Sequence, residues 1–204
     1  MSVKVYKGDL PAGLDFGPAV AVDTETMGLN PRRDKLCLVQ LSAGDGNAHL
    51  VQLDRETYAA PNLKALLENP AVTKIFHYAR FDVAVLKHYL GVSVGPIYCT
   101  KIASRLARTY TDRHGLKDLV RELLGIDLNK QQQSSDWGQP ILSDAQKQYA
   151  ALDVLYLHEI RQRLDMMLAR EGRQGLAQAC FGFLPVRAEL DLSGWMEEDV
   201  FAHS

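Results

Sequence analysis

Four carboxylates and one tyrosine stand at the edges of apolar runs: Asp23 and Glu25 in AVAVDTETMGL, Asp82 in FHYARFDVAVL, and Tyr149 with Asp153 in QYAALDVLYL. Carboxylates drawn into a small volume repel one another and stay ionised only when cations compensate, so a fold that gathers these four outlines a metal site. Hard oxygen ligands with water completing the shell suit Mg2+ or Mn2+, and the chain has no Cys and His cluster with zinc spacing. Two such ions about 3.5 to 4 Å apart bind both sides of a phosphodiester, one activating the attacking water and the other stabilising the leaving 3' oxygen. On this scheme Asp23, Glu25 and Asp153 serve the ion that carries the nucleophile, and Asp23, with Asp82 acting through water, serves the second. Tyr149 is a phenol with an ordinary pKa of about 10, a poor base but a good anchor for a water molecule.

The spacing of these residues dictates the elements that carry them. Val20, Val22 and Thr24 face one side of a short strand, and Ala21, Asp23 and Glu25 face the other. Side chains two apart on a strand lie roughly 6 to 7 Å apart, close enough to clamp ions between them. Gly28 and Leu29 then break the strand into a turn. Tyr149 and Asp153 are four apart and share one face of a helix, while Ala150, Val154, Leu157 and Ile160 hold its other faces against a core. Taken alone, a strand-terminal Asp and Glu are often only solvated, and Tyr149 reads as a half-buried packing residue. Asp153, between Leu152 and Val154, is costly to bury unless it is paired or bound to metal. The same holds for Asp82 between Phe81 and Val83, with Arg80 as an alternative neutralising partner.

Strands are expected near 19 to 25, 36 to 42 and 47 to 53, the last two joined by the turn-rich AGDGN into a meander. Helix 58 to 69, strand 72 to 76, helix 80 to 90 and a short strand 97 to 99 follow, with helices packing on the sheet. LKDLVRELLG reads as an amphipathic helix closed by Gly125. Ser143 and Gln146 form a capping-box pattern that starts the helix of Tyr149. Its apolar pattern runs on to Leu168, too long for an ordinary helix, so a break is expected near His158 to Arg163. One more helix is expected over 175 to 184, and a loose end from 197.

At 204 residues the chain is long enough for one full core, and a single domain is expected. Its formal charge of -2, with 23 Lys and Arg against 25 Asp and Glu, gives no bulk electrostatic case for nucleic-acid binding, so a local groove must supply it. Cys37, Cys99 and Cys180 are isolated and imply no disulfide framework. With neither a signal peptide nor an apolar run of membrane-spanning length, no membrane association is expected and the cytoplasm is the inferred compartment.

Together the motifs resemble the DEDDy 3'-to-5' exonucleases and, within them, the ribonuclease D family of ribonuclease H-like fold. The family's first motif matches Asp23 and Glu25, its second matches Asp82 in HYARFD, and its third matches Tyr149 and Asp153 in YAALD. The stretch LKDLVRELLGIDLNKQQQSSDWGQPILSDAQKQYAALDV, with Lys130 and the Asp136-Trp137 pair, also reads like ribonuclease D, and the similarity spans roughly residues 19 to 165. The resemblance implies an α/β fold, a mixed five-stranded sheet flanked by helices, with a helical tail over about 166 to 185. It also implies two divalent ions, Mg2+ or Mn2+, and a single-stranded RNA or DNA substrate with a free 3' end, shortened to nucleoside 5'-monophosphates. Ribonuclease D proper continues into helical nucleic-acid-binding domains, whereas this sequence ends at Ser204. A binding module without catalysis would be expected to lack a ligand, and none is missing. A different two-metal phosphohydrolase or endonuclease stays open on physics alone, because metals recognise the ester and not its position in a chain.

Weaker substrate contacts are expected from Thr26, Met27 and Leu29 after the first motif, from His77, Arg80 and Phe81 around the second, and from Lys101, Arg105, Lys130 and Trp137. Lys101, Arg105 and Arg108 recur as one basic helical stripe able to track a phosphate backbone, with Arg113, His114 and Lys117 next in the chain. Arg32, Arg33 and Lys35 sit in a turn where they either meet phosphates or simply face solvent. The Gln- and Ser-rich loop around Lys130 to Trp137 is expected to cover the substrate end.

Overall fold

The computed structural model describes residues 2–128 and 135–203. Lys130, expected to contact substrate, lies outside the described residues. Six strands, β1 (Ser2–Lys7), β2 (Ala19–Thr26), β3 (Leu36–Ser42), β4 (Asn47–Gln52), β5 (Thr73–Phe76) and β6 (Ile97–Cys99), form one mixed sheet in the order β1-β4-β3-β2-β5-β6. The meander of β2, β3 and β4 is antiparallel as expected, while β5 and β6 add in parallel beside β2. The sheet has six strands and not five, because Ser2–Lys7 pairs in parallel with β4 at the edge. Its sequence SVKVYK carries only a short alternation, and its partner lies beyond two intervening strands.

The helices are α1 (Pro61–Glu68), α2 (Ala79–Leu90), α3 (Thr100–Ala107), α4 (Leu116–Leu119), α5 (Asp144–Leu155), α6 (Leu157–Arg170) and α7 (Gln174–Leu192). α1 begins at Pro61, where the missing N–H and fixed φ suit a first turn, and not at 58. α4 passes into a π-helical turn, Val120–Leu124, which Gly125 closes at a φ of 73°. Every residue of β3 is buried, so both faces of the central sheet are covered. Under α5 lies a small core of Cys37, Leu38, Leu50, Trp137, Leu142, Tyr149 and Ala150. The larger core includes Val20, Val22, Val39 and Leu41 with Ile75, Leu86 and Val154. Each such side chain contributes about 1.5 to 3 kcal/mol when fully buried, which makes these two cores the scaffold that fixes the strand ends.

The expected capping box is present: Ser143 Oγ accepts from Gln146 N at 3.2 Å, and Gln146 Oε1 accepts from Ser143 N at 2.9 Å. The break after α5 falls at Tyr156, with φ -102° and ψ -4°, two residues before the expected window. His158 just beyond it donates from Nε2 to the Ser42 carbonyl at 3.1 Å, which holds the start of α6 to the β3–β4 turn. α7 is longer than the expected 175 to 184, and residues after it are tied down, not loose: Arg187 Nη1 donates to the Glu198 carbonyl and Phe201 packs on Phe183. Among the described residues no helix is long and apolar enough to cross a membrane, and all three cysteines are free.

Candidate active site

Asp23 and Glu25 lie at the C-terminal half of β2, where pairing with β3 sets Asp23 opposite Gln40 and Glu25 opposite Leu38. The register shifts between Glu25 and Thr26, where Cys37 of β3 has no counterpart in β2. Asp153 reaches the same place from α5. One oxygen from each of Asp23, Glu25 and Asp153 lies within 4.8 Å of the other two. Gln40, fully buried, donates from Nε2 to Asp23 Oδ2 at 3.2 Å, while its own Oε1 is buried with no hydrogen-bond partner in the described structure. A set of hard oxygens this close fits a divalent cation of the Mg2+ or Mn2+ kind better than any soft metal.

Asp82 is set apart from that trio. It is 4% exposed, in the first turn of α2, and Thr24 Oγ1 donates to its Oδ1 at 2.7 Å. Burial, with the nearby charge of Asp153 adding to it, raises the Asp82 carboxyl well above the usual carboxylate range, against the lowering effect of the Thr24 hydroxyl. Arg80 does not neutralise it. That guanidinium instead makes a two-pronged pair with Asp191, at 2.7 and 2.8 Å, and also donates to the Met196 carbonyl.

The trio opens into a pocket of about 520 Å³ whose lining includes Thr26, Met27, Leu29, His77, Phe81 and Trp137 besides the acids and Tyr149. Burial and then the charges of Asp153, Glu25 and Asp23 raise the Tyr149 phenol far above its ordinary value, so it stays protonated. Its ring packs against Trp137 at 5.9 Å between centroids. Trp137 is therefore a buried wall of the pocket, which Ser135 beside it also lines, while residues 129–134 of the loop expected to cover the substrate end lie outside the described residues. His77 Nδ1 lies 2.9 Å from Thr100 Oγ1, whose own proton goes to the Phe76 carbonyl at 3.1 Å, so the imidazole donates at Nδ1. Leu29 stands almost fully exposed at the rim, and Met27 is half-exposed.

The loop after β2 is organised by Asp34. Its carboxylate accepts from Asn30 N and from Arg33 Nε, and these bonds hold it down to about 2. A Cβ on Gly28 would stand 2.2 Å from Asp34 Oδ2, so only glycine admits this closure. Arg33 is thus engaged in the loop, while Arg32 and Lys35 lie along other clefts.

The basic stripe does not form as expected. α3 ends at Ala107, and Arg108 is fully buried, bonded to Glu122, Ser104 Oγ and the Arg113 carbonyl. His114 turns to Ser104 as well, at 2.8 Å. Lys101 and Arg105 line a different groove, with Arg80 and Arg187, and do not line the acidic pocket. Residues that sequence reasoning passed over include Gln40, Thr24, Leu116 and Ser135. Only Gln40 carried a signal, as a lone amide inside the apolar strand LCLVQLS.

A family model described as 3'-5' exonuclease matches residues 9–169 of this chain. The ribonuclease D of Acidiphilium cryptum is 37% identical over 156 residues, which is 76% of this chain and 39% of that relative. The chain thus spans about two fifths of the length of the ribonuclease D relatives it matches. Brucella melitensis NrnC is similar over its whole length: with bound Mg2+ it is 53% identical at a TM-score of 0.96, and bound to pGG 54% identical at 0.97, each covering 100% of both chains. Escherichia coli RNase D superposes with a TM-score of 0.73 at 27% identity, over 84% of this chain and 45% of that one. With a matched model covering most of its length, and with Asp23, Glu25, Tyr149 and Asp153 of the motifs lining one pocket, the chain belongs to the 3'-5' exonuclease family.

Proposed function

We propose that the protein removes nucleotides from the 3' end of single-stranded nucleic acid, RNA by preference and DNA as well, releasing nucleoside 5'-monophosphates. The observation that carries this is the convergence of Asp23, Glu25 and Asp153 within 4.8 Å, beside Tyr149, near the C-terminal end of β2. The A. cryptum ribonuclease D and the NrnC bound to pGG support RNA. The Mg2+ in a second NrnC structure supports a divalent cation. Asp23, Glu25 and Asp153 would hold one ion, and Asp23 with Asp82 a second. Such a pair supplies Lewis-acid stabilisation to the attacking and leaving oxygens of an in-line displacement.

The protein's own groups do the positioning. Tyr149, kept protonated by burial and by the neighbouring acids, donates its O–H and orients the water, and it removes no proton. Thr24 fixes the Asp82 carboxylate in one rotamer, and Gln40 does the same for Asp23. Phe81, Leu29 and Met27 present apolar surface to the terminal base and sugar, and His77 stands on the same wall. On this reading residues 1–204 act as one catalytic unit in the cytoplasm, with the chain beyond 165 bracing the core.

A time course on one oligonucleotide labelled at either end tests the proposal. Stepwise shortening of the 5'-labelled strand, with the 3' label released at once as a mononucleotide, is the expected result in Mg2+. Internal products at the earliest times would replace it with an endonuclease.

A further inference from the structure

A groove of about 760 Å³ runs between the start of α2, α3 and α7, outside the acidic pocket. Its floor is apolar, with Ile102, Phe183 and Leu184, yet its charged lining residues are all cations: Arg80, Lys101, Arg105 and Arg187. In a chain with a formal charge of -2, this is a local concentration that bulk composition does not explain. Asp191 holds Arg80 and Arg187. Lys101 instead lies 4.3 Å over the ring of Tyr78, and among the described residues neither Lys101 nor Arg105 forms an ion pair with a carboxylate. Tyr78 has a φ of 70°, a left-handed conformation that an aromatic residue rarely adopts, and the residue is left 48% exposed. α2 starts at Ala79, just after Tyr78, and α3 at Thr100, just after Cys99, so both helices begin at the groove wall. The positive ends of two helices therefore add to the side-chain charge.

The groove does not stand alone. A smaller cleft of about 220 Å³ shares Leu29 and Phe81 with the acidic pocket, and Tyr78 and Arg80 with the groove. Positive charge calls for an anion, and an exposed ring above an apolar floor calls for a flat, stackable group. A nucleotide supplies both, through its phosphate and its base. We propose that this groove is a second nucleotide-binding site, in which Lys101 and Arg105 take the phosphate and Tyr78 stacks the base. The nucleotide is either free or one unit of a strand that runs through the connecting cleft.

Photocrosslinking separates these sources. The protein would be irradiated in EDTA with 5-iodouridine 5'-monophosphate, or with decamers carrying 5-iodouridine at successive positions, and the adducts mapped by mass spectrometry. An adduct at Tyr78 or Phe183 with the mononucleotide supports a site for free nucleotide, and one with decamers alone supports a strand path. In either case a Lys101→Glu/Arg105→Glu variant should lose about tenfold in yield, as befits two lost charge-assisted contacts. The milder Lys101→Gln/Arg105→Gln pair, checked for native circular dichroism, should lose less in the same direction. Adducts confined to Phe81, Trp137 or Tyr149, or a groove adduct indifferent to both variants, would overturn the proposal. Crosslinking needs no hydrolysis, so this result stands apart from that of the end-labelled time course.

Discussion

Asp82 and Asp191 are both buried carboxylates, 4% and 3% exposed, and both meet α2, yet their surroundings are opposite. Asp191 is enclosed by two arginines, with Arg80 at 2.7 and 2.8 Å and Arg187 at 2.6 Å. Asp82 has a threonine hydroxyl and, nearby, the charge of another acid. A buried charge needs compensation, and at Asp191 the polypeptide supplies it. At Asp82 burial and a like charge push the carboxyl toward its neutral form, the condition an incoming cation reverses. One carboxylate is a structural tie; the other belongs to a site built to receive something.

The largest effect that would sharpen this contrast is at the trio. Asp153→Asn should lower kcat by more than the about 10- to 100-fold typical of a residue that merely supports a metal ligand, and without loss of stability in metal-free buffer. Mg2+ should raise the melting temperature of the wild type, by the equivalent of about 2.7 kcal/mol at a hundred times the dissociation constant, and leave that of Asp153→Asn unmoved. An equal Mg2+ shift in both proteins would break the comparison. Next comes Tyr149→Phe, which keeps the ring against Trp137 but deletes the hydroxyl. A fall in kcat on the order of 10- to 1000-fold with little change in KM is expected. Steady-state kinetics showing a raised KM and unchanged kcat would make Tyr149 a packing or binding residue.

Asp191→Asn should behave in the opposite sense. It leaves two arginines around a neutral amide, and urea unfolding should record a loss of about 2 to 3 kcal/mol, at the low end for a broken buried pair because Arg80 is a third exposed. Mg2+ should not repair it. The smallest effect is expected at Ser143→Ala, about 1 kcal/mol from losing the cap of α5, with kcat unchanged once the protein is folded. A fall in kcat there would mean that the cap also sets the aim of Asp153.

The acids were legible in the sequence because each interrupts an apolar period, and the capping box because it is a local pattern of four residues. Pairings across long separations were not. Nothing near Arg80 points to Asp191, 111 positions away, and the nearer acid, Asp82, is the natural but wrong partner. Arg108 misled for a different reason: its spacing from Lys101 and Arg105 is helical, but the helix ends one residue before it, and a backbone at φ -107° and ψ 61° turns the side chain inward. Trp137 follows a stretch of polar residues, so its burial against Tyr149 was hidden by its neighbours. β1 escaped because an edge strand of six residues carries too little apolar pattern to stand out.

That edge strand has a consequence for how the chain assembles. β2, β3 and β4 follow one another and can zip as they leave the ribosome, but β1 emerges first and must wait for residues 47–52 to find its partner. Until it docks, the outer side of β4 presents unpaired N–H and C=O groups, a template for any other extended chain. Removing Ser2–Lys7 would thus be felt less at the catalytic acids than as a tendency to aggregate during expression.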